Sequence, residues 1–169
     1  MKEIIFITGG QRSGKSRFAQ EIALQKSSNP IYLATARVWD DDFKERIQHH
    51  QSDRDHRWTT IEEEKHLSKL DLNEATVVLD CITLWLTNFF FDSKYDIQKS
   101  KEQAIAEWDE LIKQNFTLIV VGNELGMGVH PENGNARKFA DLNGWINQHI
   151  AASANEVFLM TSGIPLKIK

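Results

Sequence analysis

The sequence has one cysteine, Cys81, and only three prolines among 169 residues. A single thiol cannot form a disulfide within its own chain, and it cannot supply the ligands of a zinc-thiolate site. The low cysteine content therefore excludes a disulfide-stabilised domain. It favours a reducing compartment, for which the cytoplasm is the simplest choice.

Long apolar runs and an excess of positive charge are also missing. The most apolar stretch, residues 81–91, contains polar side chains and is too short to cross a bilayer. The chain enters a predicted strand at once, without the charged leader and apolar core of a signal peptide. The formal net charge of -4 disfavours a surface that follows nucleic-acid phosphates. We expect neither a membrane segment nor a nucleic-acid partner.

The length and the composition fit one globular domain. Hydrophobic residues make up 41% of the chain and charged residues 26%, which is ordinary for a globular protein. At 169 residues the chain can bury a full core and does not require a second one. The domain is therefore expected to span residues 1–169.

An apolar run at residues 4–8 leads directly into a glycine-rich motif that satisfies the P-loop pattern between a strand and a helix. Its residues are Gly9, Gly10, Gln11, Arg12, Ser13, Gly14, Lys15 and Ser16. Glycines allow consecutive backbone N–H groups to converge on phosphate oxygens at the positive end of the following helix. Lys15 would reach the β- and γ-phosphates, and the Ser16 hydroxyl would complete a Mg²⁺ shell.

Predicted strands and helices alternate along the chain. Strands are expected at residues 4–8, 31–35, 57–61, 76–80, 117–121 and 156–160, and helices at 15–26, 40–51, 82–91, 97–114 and 136–152, with a small helix between 63 and 70. This order predicts an α/β fold of the P-loop NTPase type (RecA-like), with a mostly parallel sheet and helices on both faces. Residues 163–169 are expected to turn back as an antiparallel last strand.

Several polar residues follow predicted parallel strands and should meet at the carboxyl edge of the sheet. Thr35, Asp80 and Asn123 join the P-loop there. In P-loop proteins a strand such as 76–80 delivers an acidic side chain to the metal, which makes Asp80 a candidate ligand together with Ser16. The alternative is a surface aspartate that merely ends a strand. The connection over residues 122–135 is too long for a simple turn, so we expect it to contact a ligand.

The sequence also excludes some P-loop classes. The segment that begins at Asn123 is not the guanine-reading Asn-Lys-x-Asp element of switch GTPases, and no Leu-Ser-Gly-Gly-Gln segment of transporter ATPases is present. A small-molecule kinase suits the short chain better. The neighbouring pair His49 and His50, with Arg46, Arg54 and Arg57 nearby, could act as a phosphorus nucleophile with cationic support. From the residues alone, two solvated surface histidines remain the simpler reading.

Several ordered motifs together resemble one family, the bifunctional adenosylcobinamide kinases and adenosylcobinamide-phosphate guanylyltransferases of cobalamin biosynthesis. The similarity runs from the first strand to the last residue. The motifs are the P-loop 9–16, and the segments 46–50, 79–83 with 87–88, 123–128 with 131–132, 144–148, and 162–164 with 167–169. Family members often carry glutamate where this chain has Asp80, which keeps the ligand type but shortens its reach. Leu125 stands where valine is frequent.

The resemblance implies two reactions on one chain. A phosphoryl group passes from ATP or GTP to adenosylcobinamide, and GMP then passes from GTP to the new phosphate through a guanylylated histidine. It implies that His50 is the nucleophile, with His49 as its less favoured neighbour. The implied nucleotide contacts, besides the P-loop 9–16, are Thr35, Ala36, Arg37, Gln51, Ser52, Asp53, Arg54, Glu62 and Asp80. It also implies a homotrimer and a corrinoid substrate. Independently of the resemblance, we expect the loop 122–135 to contact part of the corrinoid.

Two other functions fit the residues less completely. The chain could be a small-molecule kinase for another acceptor, with His50 structural, or a nucleotide-binding regulator without turnover. A protein adduct from α-labelled GTP separates the first alternative from the guanylyltransferase. Multiple-turnover release of nucleoside diphosphate or pyrophosphate excludes the second.

Overall fold

A computed structural model describes residues 2–37 and 55–169. Within these ranges seven strands and four α-helices follow one another along the chain. The strands are β1 Glu3–Gly9, β2 Ile31–Ala34, β3 Thr59–Glu62, β4 Thr76–Asp80, β5 Thr117–Asn123, β6 Glu156–Thr161 and β7 Ile164–Lys167, and the helices are α1 Lys15–Lys26, α2 Ile82–Asp92, α3 Ile97–Leu111 and α4 Gly134–Ser153. In the part of the chain so described, no helix combines the length and the apolar character needed to cross a membrane.

The strands form one sheet in the order β3-β2-β4-β5-β1-β6-β7. All neighbouring pairs are parallel except β6 and β7, which are antiparallel. This confirms the predicted α/β class, the mostly parallel sheet and the reversed last strand. Because parallel strands end at the same edge, the order places the carboxyl ends of β4, β5 and β1 side by side.

Both faces of the sheet are buried, as the nearly continuous apolar strands predict. Successive side chains of a strand point to opposite faces, and in β1 Ile5 and Ile7 lie in a core with Ala19 and Ala23 of α1. Phe6 of the same strand lies in the second, larger core, which α2, α3 and α4 cover. The predicted helices on both faces of the sheet are therefore confirmed. Among the described helices, only α1, which follows the P-loop, covers the face that contains Ile5 and Ile7.

The segment before β4 differs from the predicted small helix between residues 63 and 70. Only Leu67–Lys69 is helical there, as a single 3₁₀ turn. Side chains of α2 take the carbonyl groups that a longer helix would need: the Trp85 indole donates to the Lys65 carbonyl oxygen at 3.0 Å, and Asn88 donates to the Glu64 carbonyl oxygen at 3.0 Å. Tertiary hydrogen bonds thus replace helical ones in this segment.

The other predicted elements are found with small changes at their ends. Strand β5 continues beyond residue 121, because Gly122 and Asn123 pair with Thr8 and Gly9 of β1. The loop after β5 is shorter than predicted as a result, and α4 begins at Gly134. The predicted helix at residues 40–51 lies outside the described residues.

Candidate active site

The P-loop has the left-handed backbone angles that its glycines allow. Gly9 has φ +151° and Gly14 has φ +93°, and between them Arg12 has φ +56°. Gly14 directly precedes α1, whose first residue is Lys15. Such a conformation turns consecutive N–H groups toward the space in front of the helix, where an anion is favoured.

Two neighbouring segments hold this loop in place. Ser13 accepts a hydrogen bond at its carbonyl oxygen from the N–H of Gly163, in the turn between β6 and β7, at 3.0 Å. Gly9 accepts one from the N–H of Glu124, just after β5, at 3.0 Å. The loop is therefore supported at its start and near its end by strands on both sides of β1.

Gly9 has no room for a side chain. A Cβ atom added there would lie 2.6 Å from the Met160 carbonyl oxygen, which belongs to the backbone of β6 and cannot swing away. We expect Gly9→Ala to lower the melting temperature by about 3–10 °C, because overpacking of this kind costs about 1–3 kcal/mol. Gly10→Ala is the matched control, since a Cβ there meets no atom within 4 Å. Equal melting temperatures for the two variants would contradict the packing argument.

Lys15 is buried in the loop, with 6% of its surface exposed. Its Nζ donates to the Gly10 carbonyl oxygen at 2.5 Å and lies 3.4 Å from the Ser13 hydroxyl. Burial lowers the pKa of Lys15, and the nearby Asp80 carboxylate opposes that shift. Both hydrogen-bond partners are uncharged oxygens, so no carboxylate competes directly for the ammonium group when a phosphate enters the loop.

Asp80 ends β4 on the same face of the sheet as the P-loop helix. Its Oδ2 accepts a hydrogen bond from the Tyr32 hydroxyl at 2.9 Å. Tyr32 is itself buried and packs edge-to-face against Trp58, with ring centroids 6.2 Å apart. A rigid aromatic side chain therefore sets the orientation of the carboxylate. The sequence analysis did not identify Tyr32, although its position in β2, two residues from the carboxyl end, is where such support would be sought.

The donor atoms near the loop suit a hard cation. The Ser16 hydroxyl, at the start of α1, and the Asp80 carboxylate supply oxygen, which Mg²⁺ prefers. Over residues 2–37 and 55–169 there is no group of three or more His, Cys, Asp or Glu that could hold a metal alone. The set therefore fits a Mg²⁺ that also takes phosphate oxygens and water, as is usual beside nucleotides.

The segment after β2 is engaged with the protein itself. Thr35 is fully buried, and its hydroxyl donates to the Cys81 carbonyl oxygen at 2.8 Å and accepts from the Cys81 N–H at 3.1 Å. Burial raises the pKa of the Cys81 thiol to about 12, so the thiol is neutral. Ala36 follows, and Glu62 lies exposed at the end of β3. Glu62 pairs in register with Ala34, so it reaches the same edge of the sheet.

Arg37 anchors the end of this segment in an ionic network. Its Nε donates to Glu64 at 2.6 Å, and its two terminal nitrogens donate to Asp92 at 2.8 and 3.2 Å. Lys65 also contacts Asp92, at 2.9 Å. The hydrogen bonds from Arg37 and then Lys65 lower the pKa of Asp92 well below its usual range. The network thus joins β2 to the end of α2.

We expect Asp92→Asn to lower the melting temperature at pH 7 by about 1–3 °C, since a half-exposed ionic network contributes up to about 1 kcal/mol. The folded pKa of Asp92 is depressed, so its stabilisation is present above the unfolded pKa of about 3.9 and is lost as the pH falls below it. The difference between variant and wild type should therefore shrink between pH 5 and pH 2. Thermal unfolding across that range, with the exposed Asp141→Asn as control, measures it; a constant difference would contradict it.

A polar cluster lies where β4 and β5 end, on the side of α2 and α4. Thr83 accepts a hydrogen bond at its hydroxyl from the Asn123 N–H at 3.0 Å, and it contacts Asn143 at 3.3 Å. The Asn123 carbonyl oxygen accepts from Asn143 at 2.8 Å and from Asn147 at 3.1 Å. The sequence analysis placed Asn123 at this edge but did not assign Thr83, Asn143 or Asn147 to the site. What could have indicated them in the sequence is a polar residue at a position where helical periodicity predicts a buried, apolar side chain.

A cavity of about 270 Å³ opens between the P-loop, the end of β6 and the loop after β5. Its wall combines apolar and polar side chains: Gly10, Ser13, Glu124, Met127, Leu159, Met160, Thr161 and Ser162. Glu124 holds the start of the loop, since its carboxylate accepts from the N–H groups of Gly126 and Met127 at 2.6 and 2.8 Å. The predicted ligand loop therefore does border a space beside the P-loop.

The structure brings the P-loop 9–16, Thr35, Asp80, Glu62 and Asn123 to one edge of the sheet. Ala36 and Arg37 follow Thr35 within the described residues. Seven other predicted site residues lie outside them: the predicted nucleophile His50, its neighbour His49, Arg46, and the predicted contacts Gln51, Ser52, Asp53 and Arg54. For these positions the assignment stays a prediction.

Comparison with known proteins decides the family. The family model described as cobinamide kinase / cobinamide phosphate guanyltransferase matches residues 5–168. The chain belongs to this family. The resemblance seen in the sequence is confirmed, and with it the assignment to enzymes of cobalamin biosynthesis that act on nucleotides and a corrinoid.

The relatives extend over almost the whole chain. The bifunctional adenosylcobalamin biosynthesis protein CobU of Escherichia coli strain K12 is 41% identical, over 98% of this chain and 99% of its own. CobP of Pseudomonas aeruginosa, which bears the same description, is 34% identical over 96% of this chain and 95% of its own. Among solved structures, the flagellar accessory protein FlaH of Methanocaldococcus jannaschii gives a TM-score of 0.48 at 13% identity, covering 99% of this chain and 78% of that one.

Proposed function

We propose that this member of the cobinamide kinase / cobinamide phosphate guanyltransferase family performs both reactions. It phosphorylates adenosylcobinamide with ATP or GTP, and it then transfers GMP from GTP to the product through His50. The observation that carries the proposal is the P-loop itself. Its buried Lys15 lies beside Asp80 at the carboxyl edge of the sheet, within a chain that matches the family over nearly its full length.

In the kinase step the described residues bind and orient the triphosphate. The N–H groups of residues 11–16 and the Lys15 ammonium would contact phosphate oxygens and stabilise negative charge that develops during transfer. A bond forms between the acceptor hydroxyl oxygen of the aminopropanol arm and the γ-phosphorus. The bond to the β–γ bridging oxygen breaks, its electrons remain on the nucleoside diphosphate, and the hydroxyl proton passes to water.

Ser16 and Asp80 are the residues that would hold Mg²⁺, with Tyr32 orienting the Asp80 carboxylate. When bound, Mg²⁺ supplies charge neutralisation for the triphosphate. The fit rests on the oxygen donors present at the two positions. Asp80 reaches less far than the glutamate frequent in this family, and Tyr32 sets the direction of that shorter side chain.

In the guanylyltransferase step we propose that a neutral His50 imidazole nitrogen attacks the α-phosphorus of GTP. The bond to the α–β bridging oxygen breaks, and pyrophosphate leaves. A phosphate oxygen of adenosylcobinamide phosphate then attacks the same phosphorus, the nitrogen–phosphorus bond breaks, and adenosylcobinamide-GDP forms. Dividing one transfer into two displacements predicts ping-pong kinetics.

The contacts of the nucleotide are proposed to follow the family pattern. Residues 9–16 would bind phosphates, and the segment at Thr35, Ala36 and Arg37, together with Glu62 and residues 51–54, would contact the guanylyl group. Because the Thr35 hydroxyl is already bonded to Cys81, we propose that this segment contributes mainly backbone groups. The location of Glu62 at the same sheet edge supports its inclusion.

Two apolar surfaces of the described chain support the proposed corrinoid contact and the proposed assembly. The cavity beside Met127 and the following loop offer apolar surface next to the P-loop, suited to a side arm of a large substrate.

Strand β7 exposes Ile164 (69%) and Leu166 (57%) at an open sheet edge, and Ile168 follows at 58%. Such an edge is often covered when subunits associate, which is consistent with the homotrimer that the family resemblance implies. We place the enzyme in the cytoplasm because a chain with a single cysteine and no possible internal disulfide is most simply housed in a reducing compartment.

Labelling with α-labelled GTP tests the proposal. The wild-type protein should acquire a label that is lost in acid and kept in alkali, as expected for a phosphoramidate. Adding adenosylcobinamide phosphate should move the label from the protein to adenosylcobinamide-GDP. A protein that phosphorylates adenosylcobinamide with γ-labelled nucleotide but never acquires the α-label would be a kinase only, and the guanylyltransferase half of the proposal would be wrong.

A further inference from the structure

Asn123 occupies the centre of the carboxyl edge. It is the last residue of β5, which lies between β4 and β1. It pairs in register with Gly9, the first P-loop residue, and Val121 two positions earlier pairs with Asp80. A group transferred from a nucleotide in the P-loop, beside Asp80, must therefore pass close to this position.

The side chain of Asn123 lies on the same face of the sheet as the P-loop helix. Side chains alternate along a strand, and Val121 packs in the core formed with α1. Asn123 is two residues further and shares that face. By the same alternation Asp80 shares a face with Val78, which is in the same core. Lys15 begins α1 on this side, so Asn123, Asp80 and Lys15 lie on the same side of the carboxyl edge.

Side chains from two helices hold the backbone of Asn123 in place. Its N–H donates to Thr83 at 3.0 Å, and its carbonyl oxygen accepts from both Asn143 and Asn147. Asn143 is buried, with 1% of its surface exposed, and Thr83 with 8%. Three side chains from α2 and α4 thus hold one residue at the strand end, where a strand would otherwise fray.

The side-chain amide of Asn123 has no hydrogen-bond partner among the described residues. It is half-buried, and within residues 2–37 and 55–169 its own side chain makes no hydrogen bond. An amide offers two donors and an acceptor, and a preorganised donor next to a transferring phosphoryl group is an effective catalytic element. A residue needed only to end a strand would not require such a clamp around its backbone.

We propose that Asn123 is a catalytic residue of the kinase step, whose side-chain Nδ2 donates a hydrogen bond to an oxygen of the transferring γ-phosphoryl group. This rests on the proposed function. The surrounding Thr83, Asn143 and Asn147 act as positioning residues that hold the backbone of Asn123 in place. The contact strengthens as charge accumulates on the phosphoryl oxygens, so it favours turnover more than binding.

Kinetics of three variants test this role, with adenosylcobinamide as acceptor and γ-labelled ATP or GTP as donor. Asn123→Ala should lower kcat about 100-fold while KM for the nucleotide changes less than about threefold. Asn123→Asp should lower kcat at least as much, because its carboxylate repels the phosphoryl oxygens. Asn29→Ala, at the amino end of β2 and thus at the opposite edge, should keep wild-type kcat.

The outcomes separate this role from a structural one and from the proposed function. Asn123→Ala should keep a wild-type melting temperature within about 2 °C, because the clamped groups are backbone atoms that alanine retains. Unchanged kcat in Asn123→Ala, or a loss of kcat matched by unfolding, would overturn the role. A wild-type enzyme without any kinase activity would instead overturn the proposed function.

Discussion

Lys15→Met is expected to lower kcat/KM of the kinase reaction by about 10²–10³-fold. The ammonium group lies inside the P-loop, 2.5 Å from the Gly10 carbonyl oxygen, where it can move onto the β- and γ-phosphates. Removing one preorganised charge donor from a phosphoryl-transfer site typically costs that much. Methionine keeps most of the buried alkyl volume, so the change removes charge without leaving a cavity.

Thermal unfolding of the same variant separates a loss of catalysis from a loss of folding. Burial lowers the pKa of Lys15, which means that the folded protein disfavours the ammonium group. The melting temperature of Lys15→Met should therefore equal or exceed that of the wild type. Lys99→Met, at an exposed position of α3, is the matched control and should retain full activity. Kinase activity of Lys15→Met within threefold of wild type would contradict the assignment of this loop.

His50→Ala should abolish the α-label on the protein, by at least about 10³-fold, and should leave phosphorylation of adenosylcobinamide within about threefold of wild type. In the proposed mechanism His50 is the one protein group that forms a bond to the guanylyl phosphorus, so its removal should eliminate the protein adduct. The kinase step uses the P-loop edge and needs no covalent intermediate. The measurement is the amount of label per chain, together with γ-label transferred to the corrinoid in parallel reactions.

Two further histidine variants make the His50 result specific. His56→Ala changes an exposed histidine six residues away and should be labelled like wild type. His49→Ala tests the neighbouring imidazole and should also retain the label. A label that persists in His50→Ala but disappears in His49→Ala would move the nucleophile by one residue. A label unaffected by either change would contradict a histidine adduct in this pair.

The fold could be predicted because the local patterns and the tertiary structure agree. The run Thr76–Asp80 is a strand with the bounds that the sequence predicts, and helix Lys15–Lys26 likewise, since strong apolar periodicity and loop residues at each end coincide. The small helix predicted between residues 63 and 70 is only a 3₁₀ turn at Leu67–Lys69. There, side chains of α2 compete for the backbone carbonyl groups, and that competition depends on contacts distant in sequence.

Site residues could be predicted when they belong to a recognisable sequence motif or end a predicted strand. Residues that act only through tertiary contacts between separate elements could not. Lys15 could be assigned from the P-loop motif, and Asp80 because it ends a strand expected in the parallel sheet. Tyr32 and Asn143 could not, because their roles depend on which side chain faces which partner across the sheet. A buried polar residue in an apolar segment is the signal that such residues leave in a sequence.

A crystal structure with Mg²⁺ and a non-hydrolysable GTP analogue tests the central claim most directly, which is that residues 9–16 and the adjacent edge form the phosphoryl-transfer site. We predict that the β-phosphate accepts hydrogen bonds from the N–H groups of the loop and that Lys15 Nζ leaves the Gly10 carbonyl oxygen for a phosphate oxygen. A complex in which Lys15 still contacts Gly10 while the triphosphate binds away from Asp80 would contradict it.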